Sequence, residues 1–494
     1  MSRFVKCIWV KISSLESKPL KVWLQKYWLP FFLLVCFAIL LRPYLNEKIS
    51  NNNHNLIITL TTVENWLDEG AGFHNYNLIH SWGNPGDKGI HYYPRVMNEN
   101  GRNYFVSYPP FSFILFYAAV QIVQPDNLVV FFKVFGAIIH FLTFFLILAY
   151  LRKKLDANLA LLLAGLFLFS PSNIVLSNMY YPEQLVLLLL VILVFIDDLY
   201  KGKFKGVINF ILGFLLVYSD WLGFLVIASF GFYKLFLERT NKKIVDFTLL
   251  FGGVLGGCFF VVQYSWIDGI EGLIQGMKVR YLERSGVFYE KYSDRGVNLF
   301  NSNSIYYLKT HLLPSIIGIV TVLLILKPKI KLSNNRSLFW LVFLPICLHM
   351  IFLFNSNILH FQNLSKLSLL LTIGIMFLIS FPMISKTVSV GILSVYICCS
   401  IFITTSYFQN YPTAKLTYKK ADFIRPYLDK NIPIVMIQEE FTEDLVLLSY
   451  LLKRNVIFKP GIRSVKNLLN KNYKSAVCID WKNKLGIVVE SDCQ

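Results

Sequence analysis

The chain has 494 residues, of which 55% are hydrophobic and only 16% charged, with a formal net charge of +19. So apolar a composition at this length excludes an ordinary soluble enzyme and a disordered chain, and points to a polytopic membrane protein. The lysines and arginines gather in short clusters between apolar runs rather than on one basic soluble face, so they read as membrane loops and no nucleic-acid partner is expected.

The N-terminus is basic, and its first apolar run covers about 28–45 without a small-residue cleavage site, which reads as a retained signal anchor. Further candidate spans lie near 129–150, 159–176, 184–199, 206–219, 222–237, 244–264, 313–326, 337–354, 365–381 and 388–407, giving about 11 in all. The basic clusters at 152–154, 201–205, 238–243 and 327–336 then all fall on the side of the basic N-terminus, which is the cytoplasm by the positive-inside rule. The apolar run 108–123 breaks this pattern if it spans, and it begins with two prolines, so an interfacial or re-entrant segment is expected there. The non-basic segments 46–128, 177–184, 218–221, 265–312, 355–363 and the tail from about 407 converge on the outer face.

Ionisable residues at that face are the chemical candidates. In "NLIITLTTVENWLDEG", Leu56, Leu60, Val63 and Leu67 form one helical stripe with Glu64 and Asp68 beside it, Glu69 next along, and Trp66 suited to the headgroup level. The plain reading is an interfacial helix with solvated acids; like charges four apart cost a helix a little, which favours a use for at least one. Glu183 follows Pro182 at the mouth of a very apolar span, where it could simply favour the helix dipole or serve chemistry. Asp220 sits between two apolar runs with no turn-rich loop, at or inside the membrane boundary, where it needs a partner. His360 is a lone outer histidine, and the loop 275–296 carries Arg280 and Arg284, which could meet a phosphate or lie on a solvated helix face.

Cys36, Cys258, Cys347, Cys398 and Cys399 lie in apolar runs as small core residues; Cys478 and Cys493 lie in the polar tail, where an extracytoplasmic disulfide would be permitted. That tail reads as a small α/β layer. It has strand-like runs at 432–438, at "VIFKP", "SAVCID" and "LGIVV", and helices over 442–455, capped by Thr442, and near 463–471. The sequence carries no Walker loop, no H-E-x-x-H, no paired C-x-x-C and no G-x-S-x-G.

A signal anchor, a first-loop acid on a membrane-surface helix, "YFVSYPP" leading into an apolar segment, "YYPEQL" opening a later span and a soluble tail together resemble the C-type (GT-C fold) membrane glycosyltransferases. The nearest resemblance is to bacterial members of the protein mannosyltransferase and lipid A aminoarabinose transferase group. It implies a transmembrane catalytic region over 1–407 with outer loop 46–128, and an extracytoplasmic α/β domain over 408–494. It also implies residence in the inner (plasma) membrane and transfer of a sugar from a polyprenyl-phosphate donor to an extracytoplasmic acceptor. Under it Glu64 is the leading catalytic acid, with Asp68 and Glu69 competing and Glu183 as the acid at the later span. Tyr104, Tyr108, Asp220, Arg280, Arg284 and His360 are the substrate-binding candidates. A divalent cation (Mg or Mn) could bridge carboxylate and phosphate, though no ligand spacing demands one. The alternatives are a lipid-linked glycan ligase or polymerase, which would lean on outer arginines and a histidine, and a transporter or flippase, which would place ionisable residues at mid-span.

Overall fold

The computed structural model describes residues 54–83, 102–106, 108–177, 179–237, 244–285, 338–353, 357, 361–379, 414–428, 432–437, 444–459, 475–481 and 485–490. The expected spans at 28–45, 313–326 and 388–407, together with His360 and Cys493, lie outside them.

The apolar runs are helical. α1 (His54–Glu69) is followed by α2 (Phe111–Val123), α3 (Leu128–Leu151), α4 (Ala157–Leu168), α5 (Pro171–Ser177), α6 (Pro182–Leu199), α7 (Lys205–Ser219), α8 (Trp221–Phe232) and α9 (Ile244–Ser285). α10 (Leu344–Phe352) and α11 (Ser365–Ile379) come next. Side-chain caps fix several starts: Asn127 accepts from the Val130 N–H at 3.0 Å and Asp156 from the Leu159 N–H at 3.1 Å. Leu128–Leu151 and Phe247–Ile267 are long and apolar enough to cross a membrane. The second carries a ridge of exposed Phe251, Val254, Phe259, Val262 and Trp266, an apolar face suited to lipid rather than water. Cys258, expected in a core, lies exposed on this same helix. α2 has 13 residues, about 20 Å at 1.5 Å each, less than the hydrocarbon thickness.

Three expectations are corrected. The run 159–176 is two helices, because Pro171 cannot continue α4; the Asn173 amide donates to the Phe167 carbonyl at 2.7 Å and to Ser368 Oγ at 2.6 Å across the break. The stretch 265–285, expected as loop, continues α9, with Gly269 at a φ of 69° interrupting its regular geometry. α1 buries its apolar stripe within the protein: Leu56 to Val63 and Trp66 are buried, and the Trp66 indole, expected at headgroup level, donates to the Asn77 carbonyl at 3.2 Å. Leu67, expected in the apolar stripe, is exposed.

α7 and α9 pack closely through glycines. A Cβ on Gly213 would overlap the Leu249 carbonyl oxygen, and one on Gly252 the Phe210 carbonyl oxygen. Near the C-terminus, α12 (Lys415–Ile424), β1 (Ile434–Ile437), α13 (Asp444–Leu452), β2 (Val456–Lys459), β3 (Ser475–Asp480) and β4 (Leu485–Glu490) build the expected α/β layer. The sheet order is β2-β1-β3-β4, with β1 parallel to β2 and β3, and β4 antiparallel to β3. Its core joins Ile434, Met436, Leu445, Leu448, Val477 and Ile479. Cys478 is a buried free thiol within β3.

Candidate functional site

Six polar side chains far apart in sequence meet around the ends of several helices. The first is Glu183, placed by the turn before α6. Pro182 starts that helix, the Tyr181 N–H donates to Gln184 Oε1 at 3.3 Å, and the Gln184 amide donates to the Leu176 carbonyl at 2.8 Å. Glu183 is buried, and among the described residues its Oε2 has no hydrogen-bond partner. Asp220 ends α7 and caps α8, accepting from the Leu222 N–H at 2.8 Å, and it too is buried. Its predicted place between two apolar runs is thus a helix junction, where an aspartate cap relieves the first N–H groups of α8.

Two cations face these acids. Lys366, in the first turn of α11, is 2% exposed and donates to His349 Nδ1 at 2.9 Å. Asn357 donates to the His349 carbonyl at 2.9 Å. Arg284, near the end of α9, lies over the Tyr108 ring at 4.8 Å. Glu183 feels the charges of Asp220, Lys366 and Arg284, and Asp220 feels Lys366 and Arg284. Yet neither acid is in a direct ion pair with either cation, taking 4.0 Å as the limit. Two carboxylates and Lys366 are buried, with Arg284 half-buried beside them, and their charges act on one another without direct pairing.

Tyr108 borders the group. Its carbonyl accepts from the Tyr264 hydroxyl at 2.8 Å, and burial, with the Glu183 charge adding to it, pushes its phenol well up, so Tyr108 stays a donor.

The first-loop acids go elsewhere. Glu64 Oε1 accepts from the Tyr450 hydroxyl at 2.7 Å and its Oε2 pairs with Lys453 at 2.8 Å, both residues lying at the end of α13 or just past it. Trp82 adds to this junction, its N–H donating to Asn455 Oδ1 at 2.9 Å. Asp68 is exposed. Glu69 pairs with Arg102 and with His74 Nε2, the latter at 2.9 Å, and the other ring nitrogen of His74 lies 3.1 Å from the Tyr104 hydroxyl. Burial draws the His74 imidazole down to about 4, so at neutral pH it donates from Nε2 to Glu69 and accepts from Tyr104. Tyr104 therefore serves the folding of the first loop, bridging also to Ile79. Arg280 lies on α9, its side chain outside the described residues, as is His360.

The sequence reading had Glu183, Asp220, Tyr108 and Arg284 but missed Lys366 and His349. Both sit in apolar runs, at "NLSKLSLLL" and "CLHMIF". The available signal was a lysine opening an apolar run on the side expected to face outward, against the positive-inside trend.

Among the described residues no three His, Cys, Asp or Glu side chains come together as metal ligands. The acid pair already faces two cations, so these residues do not fit a divalent ion.

Solved structures share this architecture. The oligosaccharyltransferase of Archaeoglobus fulgidus superposes with a TM-score of 0.54 at 13% identity, over 88% of this chain and 65% of that one. This chain therefore spans just under two thirds of the archaeal protein's length. ArnT from Cupriavidus metallidurans, in a structure bound to undecaprenyl phosphate, superposes with a TM-score of 0.55 at 10% identity, over 95% of this chain and 99% of that one. No protein-family model matches the sequence, and neither does any curated protein. At such identities the likeness concerns architecture alone: this chain has the fold of the GT-C membrane glycosyltransferases.

Proposed function

We propose that the chain is a membrane glycosyltransferase that moves a sugar from a polyprenyl-phosphate donor to an extracytoplasmic acceptor. The observation that carries this reading is the group of buried Glu183, Asp220 and Lys366 with half-buried Arg284, opposed in charge without direct ion pairs. Burying three of these charges costs several kcal/mol per ion unless each is compensated. A ligand that brings a phosphate to the cations and a hydroxyl to a carboxylate compensates all of them, and a lipid-phosphate sugar with its acceptor has both groups. The GT-C fold, with ArnT seen bound to undecaprenyl phosphate, supports the same donor class.

In this reading Glu183, rather than Glu64, is the base. Its free Oε2 takes the proton of the acceptor hydroxyl as that oxygen attacks the anomeric carbon. The bond from the anomeric carbon to the donor phosphate breaks, and the phosphate leaves with the electron pair. Lys366 and Arg284 stabilise the charge that grows on it. Asp220 keeps the ammonium of Lys366 charged, and Tyr108 offers a hydroxyl and a ring face to the sugar. The N-terminus is cytoplasmic, the site faces outward, and residues from about 408 form an extracytoplasmic domain that rests on the first outer helix.

The test is purified protein in detergent with a polyprenyl-phosphate sugar and an envelope extract as acceptor source. Donor consumption with appearance of polyprenyl phosphate is expected. A protein that binds no polyprenyl phosphate, or leaves every such donor intact, refutes the reading. Loss of one glycan or glycolipid on gene deletion identifies the acceptor.

A further inference from the structure

We infer that His349 is a positioning residue that holds the Lys366 ammonium ready for the donor phosphate, an inference that rests on the site reading above. Lys366 is fully enclosed, and its one close partner among the described residues is not an acid but the imidazole of His349, at 2.9 Å from Nδ1. Nζ also lies 3.4 Å from Nε2, and an ammonium can only donate, so the ring that receives it must be neutral. The imidazole is itself held. It is buried at 5% exposure on α10, and the Asn357 amide closes on it from the following turn, 3.4 Å from Nδ1 and 2.9 Å from the backbone carbonyl.

The consequence is geometric. A lysine has four rotatable side-chain bonds and would swing onto Glu183 or Asp220, neutralising the acid needed as base. With one N–H anchored to His349, the other two remain for a phosphate oxygen and for the field of the acids. His349 touches neither sugar nor phosphate in this scheme, and its effect passes through Lys366 alone.

That restriction gives the test. Binding of a polyprenyl phosphate and donor turnover are measured for wild type, Lys366→Ala, His349→Ala, His349→Gln and the Lys366→Ala/His349→Ala double variant. Lys366→Ala is expected to weaken polyprenyl phosphate binding about 100-fold, the order of a lost charge-assisted contact. His349→Ala should weaken it about 10-fold and add nothing in the Lys366→Ala background, because the two act as one unit. His349→Gln keeps an acceptor oxygen and should recover most of the binding, which a merely structural histidine would not show. Additive losses in the double variant, wild-type binding by a folded His349→Ala with Lys366→Ala impaired, or a folded His349→Gln that binds no better than His349→Ala, overturn the role of His349. If Lys366→Ala itself binds as wild type, the donor-phosphate reading of the site fails instead.

Discussion

Glu183→Gln separates catalysis from stability. The side chain keeps its shape and loses its charge. Glu183 attracts two cations, but the repulsion by Asp220 outweighs either attraction, so its net Coulomb gain is less than one attraction. At 4 Å and an effective dielectric constant of 20 one attraction is worth about 4 kcal/mol. Glu183 pairs with neither cation within 4.0 Å, so the gain is smaller than that. Against it stands a desolvation cost of several kcal/mol for a buried carboxylate. The two nearly cancel, and the variant should melt within a few degrees of wild type. Its chemistry should not survive, because losing a general base costs about 10²–10⁴-fold, or roughly 3–5 kcal/mol of barrier. Polyprenyl phosphate binding should hold or tighten, since one negative charge near the phosphate is gone. Turnover from single-time-course product assays, thermal unfolding in detergent and direct lipid binding together decide it. A variant with near wild-type kcat, or one that loses lipid binding along with activity, refutes Glu183 as base.

Glu64→Gln should behave in the opposite way. It weakens the bond with Tyr450 and the exposed pair with Lys453, so about 1 kcal/mol of stability goes while kcat stays within about 3-fold. A 100-fold fall in kcat with normal melting would return the base to Glu64. His74 binds its proton less readily folded (about 4) than unfolded (6.5). Its contribution is therefore complete above about pH 6.5 and is lost as pH falls toward 4; the loss should be absent from the melting profile of His74→Gln, and an unchanged profile rejects the neutral buried imidazole. Arg284→Lys keeps the charge but loses a flat group over the Tyr108 ring, so polyprenyl phosphate binding should weaken by about 2–30-fold, the range of a cation–π contact. Equal binding by the two would show that only charge matters there.

Local physics made much of this legible. Apolar runs bounded by basic clusters became helices close to the expected limits, as with Pro182–Leu199 and Leu128–Leu151, and alternating short strands and helices in the tail became a four-stranded α/β layer. Glu183 and Asp220 stood out because a carboxylate beside hydrocarbon needs a reason. What failed was long-range. Glu64 lies 386 residues from Tyr450, and no local pattern predicts that a first-loop helix edge will be claimed by the C-terminal layer. Lys366 and His349 were hidden for the related reason that a single polar residue in an apolar run does not say which other helix it will meet.

The partners of each charged group explain how the opposite charges stay unpaired. Asp220 is tied to the Leu222 N–H at its own helix start, Lys366 to His349, and Arg284 to the face of Tyr108. Glu183 stands on a helix begun by a proline, in a turn stitched by Gln184. Each group is thus held by a neighbour other than its opposite charge. The glycine-lined contact of α7 with α9 fixes the two elements that carry Asp220 and Arg284 at backbone distance. Selection for stability alone would let such charges collapse into ion pairs or be replaced by apolar side chains. Supports that keep buried opposite charges apart are what a preorganised site for a charged, reacting ligand requires, because such a site pays no reorganisation when the ligand's charge moves.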